Sequence, residues 1–222
     1  MASRNFITHG RKIVAIGRNF SEHAKELGNA VPKAPFFFLK PTSSYISNLQ
    51  PIEVPAGCEV HHEVELGVVI GKDGRDIPAS EAHKHIAGYT LALDMTARNL
   101  QDVAKKAGLP WSAAKGYDTF TPVGELIPKE QIPDTNNVDL KLTIDGITKQ
   151  NGNTKDMIFK VPMLIEYVSS IMKLQEGDVI LTGTPAGVGP IKPGETVACE
   201  LGTEGKILSQ LKFPVIERPK KV

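Results

Sequence analysis

Two cysteines, Cys58 and Cys199, are all that the 222 residues contain. That is too few for a disulfide framework, and the simplest reading is a reduced, intracellular setting. Long apolar runs are also missing. No stretch approaches the roughly 20 residues a membrane helix needs, and the N-terminus has no hydrophobic signal-peptide core. Nor is there an excess of one charge. A formal net charge of +1 excludes a broad electrostatic attraction for nucleic acid or an anionic membrane surface, so affinity for a charged ligand must be local. Acidic residues are absent from the opening, where Arg4, Arg11, Lys12 and Arg18 precede the first of them, Glu22. That bias is compatible with an organellar transit segment. Yet Lys12 to Gly17 already reads as a core strand, which leaves about ten residues outside it, short for a removable peptide. With no internal repeat and no linker, the expectation is an N-terminal segment, residues 1–12, and one domain, residues 13–218.

What is present is an ordinary globular mixture, 41% hydrophobic and 23% charged, long enough to bury a sizeable core. The stretch Val60-His-His-Glu-Val-Glu-Leu-Gly-Val-Val-Ile70 stands out. Val64, Leu66, Val68 and Ile70 alternate with Glu63, Glu65 and Gly67, the period of a β-strand, which places both carboxylates on one face. Adjacent like charges repel, and burial without a partner is costly. The pair therefore lies either on a solvated edge or in a cleft that holds a cation.

Other segments read as follows. Ser21 to Leu27 is a short helix, capped by Asn19 with Glu22 or by Ser21, and stopped by Gly28 and Asn29. Its His23 and Glu26, spaced i, i+3, form either a solvent-facing ion pair or a His–carboxylate dyad that handles protons. Phe36 to Lys40 is a strand ended by Pro41, and Thr42 to Pro55 a long surface loop. Ser80 to His85 is a short helix. Gly88 to Thr96 is a half-buried strand with Asp94 on its less apolar face. Asp94 or, better placed, Thr96 would cap a helix from Arg98 to Ala107 that closes with Gly108. Lys115 sits among small and aromatic residues, where a buried ammonium needs an anionic partner. Asp145-Gly146 signals a two-residue hairpin. Lys160 to Met172 is an amphipathic helix with an apolar stripe of Leu164, Ile165, Val168, Ile171 and Met172. The glycine-rich loop Thr182 to Pro190 fits neither a Walker nor a Rossmann fingerprint. It reads as turns, or as a backbone and threonine rim beside a cleft.

Three carboxylates, Glu63, Glu65 and Asp94, are hard oxygen ligands suited to Mg²⁺, Mn²⁺ or Ca²⁺. Zinc prefers histidine and cysteine, and the adjacent His61 and His62 face opposite ways on a strand. Three carboxylates leave about half of an octahedral shell open, as in catalytic sites. Their net charge with a divalent ion calls for further cations near an anionic substrate, and Arg18, Arg98 and Lys115 are available.

Together, Glu63-x-Glu65, Asp94-Met-Thr-Ala-Arg98, Lys115-Gly-Tyr-Asp-Thr-Phe-Thr-Pro and Leu181-Thr-Gly-Thr-Pro-x-Gly-Val-Gly189 resemble the fumarylacetoacetate hydrolase family over about Ile13 to Phe213. The opening Gly17-Arg-Asn-Phe-Ser-Glu-His23-Ala-Lys-Glu26 resembles its acylpyruvase and oxaloacetate-handling branch. There is no room for the extra N-terminal domain of the longer hydrolase of tyrosine breakdown, which argues against fumarylacetoacetate as substrate. The resemblance implies a β-rich α+β fold, a mixed β-sandwich or roll with short peripheral helices, and a homodimer. It implies Mg²⁺ or Mn²⁺ held by Glu63, Glu65 and Asp94, and a His23–Glu26 dyad on a lid. It also puts Lys115 at the active site, and Arg98, Gln101 and Thr184 at substrate oxygens. Eukaryotic members of the branch are usually mitochondrial, with a cytoplasmic location as the alternative.

The chemistry expected is that of small 2-keto acids. Cleavage beyond the keto carbon, by hydrolysis or by loss of CO₂, leaves a pyruvate enolate that a metal and Lys115 would stabilise. Acylpyruvate hydrolysis, oxaloacetate decarboxylation and oxaloacetate tautomerisation all fit one such site. The alternatives are a hydratase or isomerase of aromatic catabolism, or a non-catalytic metal or dicarboxylate binder, for which a His23–Glu26 dyad would be superfluous.

Overall fold

The computed structural model describes residues 6–22 and 32–219, and its architecture is a mixed, sheet-rich α+β fold. A six-stranded sheet runs in the order Ile127–Pro128, Ile86–Leu93, Val64–Ile70, Val179–Leu181, Ile13–Ile16, Phe37–Lys40. A five-stranded sheet holds Ile147–Asn153, Asp139–Ile144, Thr196–Thr203, Lys206–Glu217 and Ile52–Val54. Val64, Leu66, Val68 and Leu91 share a core with Leu140, Leu142, Val197 and Leu211, so the two sheets bury their inner faces together. The outer face of the first sheet is covered too. Val69, Val179, Leu181, Ile13 and Ala15 pack with Phe6 of the short helix Phe6–His9. Burial on both sides explains why every residue of Val64–Ile70 is buried, although the strand still alternates between two faces.

Val60 to Ile70 is not one continuous strand. Val64 still pairs with Leu93, but beyond them Val60–His62 turns away to pair with Thr96–Ala97 and Gly189–Pro190 in a separate small sheet. Glu63 and Asp94 fall in the break, joined by the Asp94 N–H donating to the Glu63 carbonyl at 2.9 Å. Thr42 to Pro55 is likewise not a surface loop. It contributes the short strands Tyr45–Ile46 and Ile52–Val54, whose Ile46 and Ile52 are buried, because its polar residues alternate with these anchors.

The helix Arg98–Ala107 has the expected span, closed by Gly108 at φ 65°, but its N-terminus has no side-chain cap. Thr96 spends its hydroxyl on Glu63 and on the Asp94 carbonyl, both at 3.2 Å. Asn19 does not cap either. Its side chain is buried, donating to the carbonyls of Phe159 and Thr182 and accepting from the Phe159 N–H at 2.7–2.9 Å. Of the helix read from Ser21, only Ser21 and Glu22 belong to the described residues. The helix Val161–Ile171 buries Leu164, Ile165 and Val168, while Ile171 in its last turn is 56% exposed. Asp145 and Gly146, both at positive φ, make the tight hairpin between Asp139–Ile144 and Ile147–Asn153. No helix among the described residues is long and apolar enough to cross a membrane.

Candidate metal centre and active site

The break in the Val60–Ile70 segment delivers Glu63, strand alternation delivers Glu65, and the end of Ile86–Leu93 delivers Asp94. One ligand oxygen from each lies within 4.8 Å of the others, and all three residues are buried. Around them stand three cations. Lys115 Nζ donates to Asp94 Oδ2 at 2.7 Å and to Glu63 Oε2 at 3.1 Å. Arg98 Nη2 donates to Glu63 Oε1 at 2.5 Å, and Nη1 to Gln101 Oε1 at 2.5 Å. The third, Lys40, was not foreseen from the sequence. Its Nζ donates to Asp94 Oδ1 at 2.6 Å and to the Met95 carbonyl at 3.1 Å. The available signal was a lysine ending an apolar strand just before Pro41.

These cations serve Glu63 and Asp94 but leave Glu65 without an ion pair among the described residues. Its hydrogen-bond partner is the Gly183 N–H, at 2.7 Å. Gly183 sits at φ 100°, and a side chain there would meet the Asn19 Cβ at 2.8 Å, so the turn that presents this N–H requires glycine. Burial, then the charges of Asp94 and Glu63, push the Glu65 carboxyl well above the usual carboxylate range. Such a carboxylate ionises readily only beside an added cation. Three buried carboxylate donors, one of them uncompensated, fit a divalent metal ion with hard oxygen preference.

The two lysines differ. Burial pulls Lys115 down, but Asp94 and Glu63 together outweigh it and the net shift is upward. Burial also pulls Lys40 down, and there Asp94, opposed by the charge of Lys115, does not make up the loss. Lys115 is thus held as a cation, 4.9 Å from the centroid of the Phe38 ring.

A cavity of about 30 Å³ opens on this cluster, walled by Glu63, Glu65, Asp94, Lys115, Arg98, Gln101 and Thr184, with Phe38, Trp111 and Ile16 on the apolar side and Arg18 and Lys105 also lining it. Every site residue expected from the sequence among the described ones therefore meets here. His23 and Glu26 lie outside the described residues.

Thr184 is held by a residue that sequence reading passed over. Gln150 Oε1 accepts from the Val64 N–H at 3.1 Å and lies 2.9 Å from His62 Nδ1. Its Nε2 donates to Thr184 Oγ1 and to the Pro185 carbonyl, both at 2.8 Å. Thr184 in turn gives its hydroxyl proton to the Val64 carbonyl at 2.8 Å, so that proton is committed to the backbone. No local pattern marks Gln150, because its partners lie 34 to 88 residues away.

Comparison with known proteins agrees with this architecture. The family profile described as fumarylacetoacetate (FAA) hydrolase C-terminal matches residues 12–214. A Dictyostelium discoideum protein named oxaloacetate decarboxylase, mitochondrial, is 57% identical over 211 residues, covering 94% of this chain and 95% of the relative. A mitochondrial oxaloacetate tautomerase of Arabidopsis thaliana is 58% identical, covering 95% and 93%. Among solved structures, a fumarylacetoacetate hydrolase family protein from yeast superposes with a TM-score of 0.89 at 37% identity, covering 99% of this chain and 98% of that one. Fumarylpyruvate hydrolase from Pseudomonas aeruginosa, in complex with Mn²⁺ and pyruvate, gives 0.88 at 33% identity, covering 95% and 94%. The chain belongs to the fumarylacetoacetate hydrolase family.

Proposed function

We propose that this protein is a mitochondrial, divalent-metal-dependent enzyme of small 2-keto acids that acts on oxaloacetate, by decarboxylation, by keto–enol tautomerisation, or by both. The observation that carries this reading is 57–58% identity, over nearly the whole of both chains, to proteins named for those two activities. Glu63, Glu65 and Asp94 would hold Mg²⁺ or Mn²⁺. When bound, that ion supplies a Lewis acid for the substrate's carboxylate and keto oxygens.

The chain's own side chains do the rest. Arg98 and Gln101, side by side on one helix face, bind and orient the carboxylate of the 2-keto end. Lys115, kept protonated by Asp94 and Glu63, faces the oxygen on which negative charge develops. It acts there as a fixed cation rather than as a base. In decarboxylation the bond between C3 and C4 breaks, CO₂ departs, and its electron pair passes into the pyruvate enolate, which then takes a proton at C3. In tautomerisation a proton leaves C3 and the keto oxygen gains one. His23, oriented by Glu26, is the group assigned to move these protons. Arg18 and Thr184 complete the substrate contacts. Because the Thr184 hydroxyl proton is committed to Val64, any hydrogen bond this residue donates to substrate comes from its backbone N–H.

Acylpyruvate hydrolysis is a second activity of the same site in this proposal, favoured by the likeness to fumarylpyruvate hydrolase. A homodimer, as the family resemblance implies, is part of it.

The test is a substrate panel of oxaloacetate, acetylpyruvate and fumarylacetoacetate with Mg²⁺ or Mn²⁺, with chelator, and with Glu65→Ala. We expect oxaloacetate turnover that chelator abolishes, and a folded Glu65→Ala protein without metal-dependent activity. Full activity in chelator would overturn the metal assignment. Absence of oxaloacetate turnover in the metal-loaded protein would overturn the substrate.

A further inference from the structure

Arg98, Gln101 and Lys105 follow one another at i, i+3 and i+7 on the helix Arg98–Ala107, and all three line the cavity. Burial falls along this row. Arg98 and Gln101 are enclosed, with Arg98 donating to Glu63 and to Gln101. The Lys105 side chain, two turns further out at the mouth, is 27% exposed.

Arg18 lines the same cavity. Its guanidinium lies 5.7 Å from the centre of the Phe36 ring, and Lys105 Nζ lies 5.7 Å from that of Trp111. The two rings meet edge to face at 5.8 Å. Both mouth cations are thus seated on one aromatic pair. An aromatic face steadies a cation without cancelling its charge. Among the described residues the one carboxylate paired with Lys105 is Asp102, a surface contact at 3.4 Å and 53% exposed, which leaves most of the charge uncompensated. Burial, and next the charges of Arg98 and Arg18, hold Lys105 below its ordinary value, consistent with three cations sharing one small region.

We propose that Lys105, together with Arg18, recognises the second carboxylate of a four-carbon 2-keto dicarboxylate, and so biases the enzyme toward dianionic substrates over acylpyruvates whose tails are uncharged. This rests on the reading above, in which the 2-keto end lies against Arg98 and Gln101. A substrate so placed runs its far end outward along the helix to Lys105. A neutral acyl tail would meet the same two cations with nothing to offer them, and their desolvation would count against it.

The test compares Lys105→Met, which keeps an apolar stem on Trp111 but removes the charge, with Lys105→Arg, which retains it. Initial rates are measured for oxaloacetate and acetylpyruvate with Mn²⁺ supplied. The wild type and both variants are also titrated calorimetrically with malate and lactate, which are 2-hydroxy acids with and without the second carboxylate. We expect Lys105→Met to raise the KM for oxaloacetate and to lower the kcat/KM ratio of oxaloacetate to acetylpyruvate about tenfold, the size of ~1.4 kcal/mol. Lys105→Arg should restore most of that ratio, and the preference for malate over lactate should shrink in the Met variant alone. A ratio and a malate preference unchanged by Lys105→Met, or equal losses on both members of each pair, would overturn the assignment. If the wild-type protein turns over neither keto acid, the functional proposal fails. The malate and lactate titration still decides the role of Lys105.

Discussion

At the scale of single residues, Asp94 binds two buried ammonium groups, one on each carboxylate oxygen. Lys115 is shared with Glu63, whereas Lys40 touches no second carboxylate in the cluster. The difference decides their roles. Lys115 is held as a cation by two carboxylates, and Lys40 offsets the negative charge of Asp94 at the cost of its own desolvation. Replacing Lys40 by Met removes a positive charge beside the metal-binding carboxylates without touching any of them. It should therefore tighten Mn²⁺ binding severalfold by calorimetry. The metal-free protein should lose about 3 kcal/mol of stability in denaturant titration, because Asp94 keeps only one of its two buried partners. Weaker metal binding in Lys40→Met would instead mean that Lys40 serves to position Asp94.

At the scale of elements, the site depends on one strand pair leaving its sheet. The ladder between Val64–Ile70 and Ile86–Leu93 ends at Val64 and Leu93, and Glu63 and Asp94 occupy the gap before pairing resumes at His61 and Thr96. Gln150 anchors this junction from the second sheet. It bonds the Val64 N–H and His62 on one side, and Thr184 and the Pro185 carbonyl of the glycine-rich turn on the other. Gln150→Leu strands a buried N–H and a buried carbonyl and should cost about 2–4 kcal/mol, following the desolvation penalty of an unmade hydrogen bond. Because Glu63, Glu65 and the Gly183 N–H are all set by these elements, kcat should fall about tenfold or more in kinetics at a temperature where the variant remains folded. An unchanged kcat would show that the junction holds without this amide. The periodicity of Val64 to Ile70, the Arg98–Ala107 helix and the Asp145-Gly146 hairpin were legible in the sequence, since each is fixed by local residue spacing. The departure at Glu63 was not, because alternation persists through it and only pairing with Thr96–Ala97 reveals the turn.

At the scale of the whole molecule, metal, pH and stability are linked through Glu65. A carboxyl whose value is raised in the folded protein favours folding fully below the ordinary carboxylate range, and that contribution is lost as pH rises through the raised value. The metal-free protein should therefore gain stability from Glu65 on mild acidification, and bound cation should remove this dependence. Mn²⁺ affinity should weaken as pH falls through the raised Glu65 value, with proton release on binding. At about a hundred times its Kd, the ion should add ~2.7 kcal/mol, and for a domain of this size melting should rise by roughly 5–10 °C. Glu65→Gln should abolish that rise without lowering the metal-free melting temperature. A Glu65→Gln protein that still melts higher with Mn²⁺ would count against the triad.

By itself the sequence determined the alternation of Val64 to Ile70, the span of the Arg98–Ala107 helix, the hairpin and the identity of the three carboxylates, since spacing and residue type act over a few neighbours and share a recognisable order along the chain. Only the tertiary structure decided that Lys40 completes the charge cluster, that Gln150 governs Thr184, and that Lys105 stands at the mouth with Arg18. Those partners are far apart in the chain, and buried charges and amides choose one another by distance in the folded core, where no local pattern records the choice. The segment Glu63-x-Glu65 thus named its own chemistry, but the fold brought the cations to it, Lys40 among them.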